Sequence, residues 1–185
     1  MIKNTRSPFK DPKVLVLLSL FAALSILFGK YLAIPGGDVL RFSFENLPIL
    51  LAALHFGPIA GMLVGIVADL LGCVMVGYTI NPVVTLGAAI IGLVGGLAPY
   101  YMPKKLPRIV RIVLAVSLAH LVGSVFVKTI GLAAYYTMPF FVLMLWRLLN
   151  YAIIAALESA LLYLLCKNPA IAKQLRRLNK NSFLL

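Results

Sequence analysis

Apolar positions gather into six runs: Val14–Ile34, Phe44–Phe56, Pro58–Val76, Val83–Ala98, Ile109–Ala134 and Pro139–Cys166. Helix breakers stand between them: Pro35-Gly36-Gly37, Gly57-Pro58, Asn81-Pro82, Pro103 with Pro107, and Pro139. A helix that crosses a bilayer needs about 20 apolar residues, and the chain supplies several such stretches. The second run is short; at about 1.5 Å rise per residue it covers roughly 20 Å, so it either extends through Phe42 or sits partly within the bundle. The pattern predicts an all-α fold, a polytopic membrane bundle of six transmembrane helices forming one domain over residues 1–185. The first run follows a basic start, as in a signal peptide, but Val14–Gly29 outlasts a typical signal core and no small-x-small cleavage site precedes Pro35. It reads as the first span.

Composition agrees. Of 185 residues, 62% are hydrophobic and 12% charged, with a mean hydropathy of +1.02. A soluble domain would carry about twice that share of charge. The net charge of +12 suggests nucleic acid until its distribution is read. Lys3, Arg6, Lys10 and Lys13 precede the first run. Lys104, Lys105, Arg108 and Arg111 share one mid-chain loop. Lys167, Lys173, Arg176, Arg177 and Lys180 follow the last run. These cations, less Asp11, account for the whole excess. Six spans place all three clusters on one side, as the positive-inside rule requires, with both termini cytoplasmic. A nucleic-acid partner is therefore not expected.

Small residues recur at helical spacing. Gly57, Gly61, Gly65, Ala68 and Gly72 mark the third span, and Ala88, Gly92 and Gly96 the fourth. In lipid, close backbone approach is a main source of packing energy, so these stripes predict packing within the chain. Ser19, Ala22, Ala23, Ser25 and Gly29 form a broad small face on the first span, which suits either internal packing or docking to another membrane protein.

Intramembrane polar residues are ordered too. On the sixth span Arg147, Asn150, Ile154 and Glu158 share one face, and on the fifth Ser117, His120, Ser124 and Lys128 repeat the spacing. Asp69 lies on the glycine face of the third span, and Lys30, Asp38, Arg41 and Glu45 flank the first outer loop. Such groups are costly in lipid and turn toward a bundle interior or cavity. Arg41, Glu45, Lys128, Arg147 and Asn150 are expected to converge in the outer half, among Tyr78, Thr79, Asn81, Tyr135, Tyr136, Phe140 and Trp146. That mixture suits a flat heteroaromatic anion: rings for stacking, cations for a carboxylate, acids and amides for ring N–H groups. The alternative is structural: Arg147 pairs with Glu45 or Asp69, Glu158 with the basic inner surface, and His120 is a satisfied interior donor.

Cys73 and Cys166 stand alone, without metal or disulfide spacing. No G-x-x-x-x-G-K-[ST], H-E-x-x-H or G-x-S-x-G occurs. Neither an enzyme nor a cofactor is expected.

The run Arg41-Phe42-Ser43-Phe44-Glu45-Asn46-Leu47-Pro48-Ile49, followed by Phe56-Gly57-Pro58-Ile59-Ala60-Gly61 and Gly65-Ile66-Val67-Ala68-Asp69-Leu70-Leu71-Gly72, resembles the folate-family substrate-binding subunits (S components) of energy-coupling factor (ECF) vitamin transporters. Length, six-span layout and basic termini extend the resemblance to the whole chain. It implies a multi-pass protein of a bacterial cytoplasmic membrane that binds a vitamin near the extracellular side under outer loops. It further implies a separate transmembrane coupling protein, two ATP-binding-cassette ATPases, and delivery by toppling in the membrane. The family docks on its coupling protein through an alanine-x-x-x-alanine-type face; the matching positions are Ser19 and Ala23, with Ala22 beside them, a serine replacing one alanine. By the same analogy the substrate positions are Phe44, Glu45, Asp69, Tyr78, Asn81, Lys128, Tyr135, Arg147 and Asn150. For folate, Arg147 or Lys128 would hold the glutamate carboxylates, and Asp69, Glu45 or Asn150 the pterin edge. Another vitamin, or a self-sufficient carrier or channel, is the competing reading.

Overall fold

Local chemistry starts each helix. In the computed structural model, which describes residues 8–36, 41–103 and 105–179, the Asp11 side chain caps helix α1 (Pro12–Ile26) by accepting from the Lys13 amide at 2.9 Å. Asp38 and the cluster members Lys3, Arg6, Lys104 and Lys180 lie outside the described residues. The first span continues from α1 through a π-helical turn, Leu27–Tyr31, whose cap is the Leu32 amide donating to the Leu27 carbonyl. A two-residue hairpin follows: β1 (Ile34–Pro35) pairs antiparallel with β2 (Arg41–Phe42), Ile34 opposite Phe42.

Helix α2 (Asn46–Phe56) has 11 residues, about 16 Å of rise. All but Leu51 are buried, because α2 packs against α1, α3 and α4 inside the bundle. It ends at Gly57, whose φ of +98° turns the chain into α3 (Pro58–Val76) where most side chains would be strained. Pro58 fills the first turn of α3, where its missing N–H costs nothing. Helix α4 (Pro82–Tyr101) is capped by Asn81. The fifth span runs as α5 (Arg108–Ala119), a π-helical stretch His120–Val127, and α6 (Lys128–Tyr136). Helix α7 (Phe140–Lys167) is the sixth, and a short helix α8 (Pro169–Leu178) follows. Among the described residues, five helices are long and apolar enough to cross a membrane. The short second element completes the six-helix bundle as a buried, partial span.

The small stripes of the third and fourth spans meet each other. A Cβ on Gly92 would collide with the Gly61 carbonyl, and one on Gly65 with the Ala88 carbonyl. Gly96 meets Pro58, where a Cβ would come within 2.5 Å of its Cα. On the other side of α4, Gly87 faces Gly123 of the π stretch, where a Cβ on Gly87 would lie 3.0 Å from the Gly123 carbonyl oxygen. Leu50, Ile91, Ile112 and Leu162 fill the centre.

One expected face differs from the structure at a single residue. Ser117 is exposed, whereas His120, Ser124 and Lys128 are buried. The Lys128 amide donates to the Gly123 carbonyl, five residues back. Ser117 lies in α5, ahead of this wider turn; there Ile112, Ala115, Val116 and Ala119 take the buried side, and the inward face passes from them to His120 without Ser117.

Gly92→Val should lower the thermal unfolding midpoint in detergent, at a cost of about 1–3 kcal/mol from overpacking. Val67→Leu on the exposed face of α3 should leave it unchanged. Equal midpoints for the two variants would contradict the close contact of α3 with α4.

Candidate functional site

The last turn of α3, the first of α4, the hairpin, the π stretch with α6, and the outer part of α7 meet at one end of the bundle. Three local features build that end. Gly77, with φ +70°, terminates α3 in the left-handed conformation typical of helix ends and leads to Tyr78. The Asn81 carboxamide caps α4 through the amides of Val83 (3.0 Å) and Val84 (3.4 Å), and its Nδ2 donates to the Gly131 carbonyl on α6 at 3.0 Å. Gly29 lies in the first π turn, where a Cβ would sit 2.9 Å from the Glu45 Cβ; the absence of a side chain lets the Glu45 carboxylate lie against the helix.

A cavity of about 230 Å³ opens there. Seven sequence-designated residues line it: Glu45, Asp69, Tyr78, Asn81, Lys128, Tyr135 and Arg147. Lys30, Arg41, Ser43, Cys73, Thr79 and Tyr151 join them. Phe44 and Asn150 do not line it. Phe44 is exposed, and the Asn150 amide donates to the Arg41 carbonyl at 3.2 Å, so Asn150 supports the hairpin from beneath. Trp146, expected nearby, is 58% exposed on the outer surface; Phe140 stacks edge-on with Phe126 and Phe141. The Tyr136 side chain lies outside the described residues.

The charges have distinct partners. Lys128 Nζ donates to Glu45 Oε1 at 2.8 Å, an ion pair between the fifth span and the start of α2. Arg147 pairs with neither Glu45 nor Asp69. Its Nε and Nη2 donate to the Ser124 carbonyl at 3.2 and 2.7 Å, and its guanidinium stacks over the Tyr151 ring at 5.1 Å. Its other N–H groups have no hydrogen-bond partner among the described residues, and Arg147 lines the cavity. Asp69 accepts from the Thr85 hydroxyl through Oδ2 at 2.6 Å, and its Oδ1 has no hydrogen-bond partner among the described residues. At the rim, Arg41 Nη2 donates to the Tyr78 hydroxyl at 2.8 Å while its guanidinium lies 5.0 Å from the ring. Lys30 Nζ sits 5.5 Å from that ring and donates to Cys73 Sγ at 3.8 Å.

Below the cavity a second polar group forms. His120 meets Glu158 at 2.6 Å and Ser124 Oγ at 3.0 Å, and its ring stacks on Tyr151 at 5.0 Å. Glu158 is fully buried within the bundle, and the structural pairing expected of it is made with His120 rather than with the basic inner surface. Tyr151, Ser43 and Cys73 line the cavity without having been expected there from the sequence; Tyr151 stands four positions after Arg147, on the same face of α7.

The small face of the first span divides. Ser19 and Ala23 are exposed beside Val16, Leu20 and Leu27. Ala22, Ser25 and Gly29 point inward; Ser25 Oγ donates to the Glu45 carbonyl at 2.6 Å. Ala22, buried in the core, is therefore not part of the surface formed by Ser19 and Ala23.

Lys128→Met should cost about 1–3 kcal/mol, by stranding the Glu45 carboxylate; the loss falls short of that for a dry pair because the Glu45 side chain keeps 25% of its exposure. In a double-mutant cycle with Glu45→Gln, read by thermal unfolding, the double variant should lose less than the two singles combined. Additive losses would show that the pair is not coupled.

The chain matches a known family, ECF transporter, substrate-specific component, over residues 13–166. It is similar to the folate transporter FolT of Clostridium novyi (strain NT), with 26% identity over 161 residues, covering 83% of this chain and 88% of that one. Two solved structures are similar to it. One is described as FolT bound with folic acid, with a TM-score of 0.65, 24% identity, and coverage of 80% of this chain and 88% of that one. The other is described as the S component of a bacterial ECF transporter, with a TM-score of 0.57, 22% identity, and coverage of 80% and 91%. At these identities the structural likeness establishes the fold. The family match extends over most of the sequence, and it fits the bundle and the charged outer cavity: this chain belongs to the ECF transporter substrate-specific component family, multi-pass membrane proteins that serve as the substrate-binding part of a transporter.

Proposed function

We propose that this chain is the folate-binding subunit of an ECF vitamin transporter and that the outer cavity is its substrate site. The carrying observation is the charge of the cavity wall. Lys30, Arg41, Lys128 and Arg147 face it against Glu45 and Asp69, an excess of two positive charges. Folate carries two carboxylates on its glutamate end and a flat, N–H-bearing pterin at the other. A cation excess matched to the ligand's charge, with aromatic rings at the rim, suits such a molecule. The similarity to FolT, and to a FolT structure bound with folic acid, points the same way.

The partners of each charge suggest roles. Arg147 uses one edge of its guanidinium on the Ser124 carbonyl, which fixes the plane and leaves the other edge for a carboxylate. Arg41 and Lys30, at the rim near Tyr78, are placed for the second. Glu45 is already engaged by Lys128. Asp69 has an unengaged oxygen and is held in one orientation by Thr85. Asp69 is therefore the acid assigned to the pterin edge, with Tyr78 and Tyr135 as stacking surfaces. Asn81, whose amide caps α4 and bridges to α6, shapes the wall. Phe44 and Asn150 act indirectly, through the hairpin and the start of α2.

The subunit performs no chemistry of its own in this reading. A transmembrane coupling protein and two ATP-binding-cassette ATPases supply the energy, and the exposed Ser19 and Ala23 face of α1 is the docking surface. Toppling against that partner carries the cavity to the cytoplasmic side.

Arg147→Ala should weaken folate binding at least about tenfold, or 1.4 kcal/mol, measured by calorimetry on the purified chain. Unchanged affinity would remove Arg147 from the site. Mass spectrometry of ligand released from the purified wild-type chain should detect folate. Release of thiamin or pantothenate would retain the fold and overturn the substrate.

A further inference from the structure

At the end of the bundle opposite the outer cavity, the geometry points to a second binding site, for the phosphate headgroup of an acidic phospholipid of the inner leaflet. A concave pocket there is lined by Arg108, Lys167, Lys173, Arg176 and Arg177, with Cys166, Pro169 and Ala172 beside them. Among the described residues no Asp or Glu side chain lines it, and residues 159–185 contain none. Arg108 begins α5 and Lys167 ends α7, both parts of span-length helices. The pocket therefore sits where a hydrocarbon core gives way to headgroups.

Helix α8 closes it and is held firmly. His55 Nε2 donates to the Leu175 carbonyl at 2.9 Å, and Asn179 Nδ2 donates back to the His55 carbonyl. Asn168 caps its start, accepting from the Ala170 amide at 3.0 Å. Leu175 is buried and Leu178 packs on the core. Lys173 and Arg177 are left on the exposed side. Cations scattered along flexible tails satisfy the positive-inside rule without a pocket. Here a docked helix gathers them around a concave, partly apolar surface. A phosphodiester would meet the cations, and its glycerol stem the apolar wall; basic pockets between helices at the cytoplasmic level bind anionic headgroups in this way. A free phosphate ion would make no use of that wall.

The test uses the purified full-length chain in neutral detergent, titrated with short-chain phosphatidylglycerol, short-chain phosphatidylcholine and inorganic phosphate, with binding read by native mass spectrometry and calorimetry. The wild type should prefer phosphatidylglycerol to phosphatidylcholine at least about tenfold, since each basic residue near an anionic lipid adds several-fold to binding. Arg108→Gln/Lys173→Gln/Arg177→Gln should abolish that preference. Lys10→Gln/Lys13→Gln/Lys105→Gln, which removes as many cations from the same side but outside the pocket, should retain it. Both variants should keep the wild-type unfolding midpoint. If the pocket variant does not fold, the wild-type selectivity decides alone. Equal binding of the two lipids, equal loss in both variants, or phosphate bound as tightly as the lipid would each overturn the assignment.

Discussion

A charged side chain inside an oily bundle must find a partner or water, and the architecture of this protein follows from how each one does so. Lys128 and Glu45 compensate each other across the fifth span and the start of α2. Arg147 does not do the same, because no carboxylate among the described residues pairs with it. It is held instead by a backbone carbonyl within a π-helical stretch and by the face of Tyr151. His120 and Glu158 pair beneath through one carboxylate oxygen. Buried ions are tolerated where hydrogen bonds and opposite charges offset the loss of water. The outer cavity is the place where that compensation stops short, with cations in excess.

Backbone proximity makes these pairings geometrically possible. Gly87 and Gly123 bring α4 and the π stretch together at the level of Lys128, whose Cγ would collide with any Cβ on Gly87. Gly29 admits Glu45, and Gly72 admits Lys30, whose Cε would lie 2.9 Å from a Cβ there. Without a hydrophobic drive between helices in lipid, such contacts supply packing energy and also decide which polar groups meet. The first span shows both uses of small residues: Ala22, Ser25 and Gly29 pack inward, whereas Ser19 and Ala23 remain on the surface.

Much of the site was legible because helical periodicity is a strong constraint. Lys128 and Arg147 fall on the inner faces of their spans, and both line the cavity. Asp69, four residues after Gly65, shares the glycine face and reaches the same place. Periodicity misleads where faces are too broad. Spacing places Ser117 with His120, yet Val116 and Ala119 hold the buried side of α5 and Ser117 is exposed. Asn150 shares a helix face with Arg147, yet its amide turns to the Arg41 carbonyl. Tyr151, one residue further on, lines the cavity; the two flank Arg147 on opposite sides, at about 60° and 40°, and helical period alone does not say which side faces the cavity. Lys30 and Arg41 were recognised as flanking a loop, but that loop's fold over Tyr78 is a long-range contact without a local signal.

The linear pattern alone is enough for the membrane class, the six apolar helical elements, and most of the polar residues turned inward. Those properties depend on hydropathy, helical period and the placement of charge, all of which are local. The three-dimensional packing is needed to see that Glu45 pairs with Lys128, that Arg147 binds a carbonyl rather than an acid, that α2 is a buried half-span, and that Asp69 is held by Thr85 through one oxygen. Those outcomes depend on rotations and depths of helices relative to one another. They are set by which glycine meets which backbone and by where a helix widens into a π turn, and a one-dimensional pattern does not encode either distance.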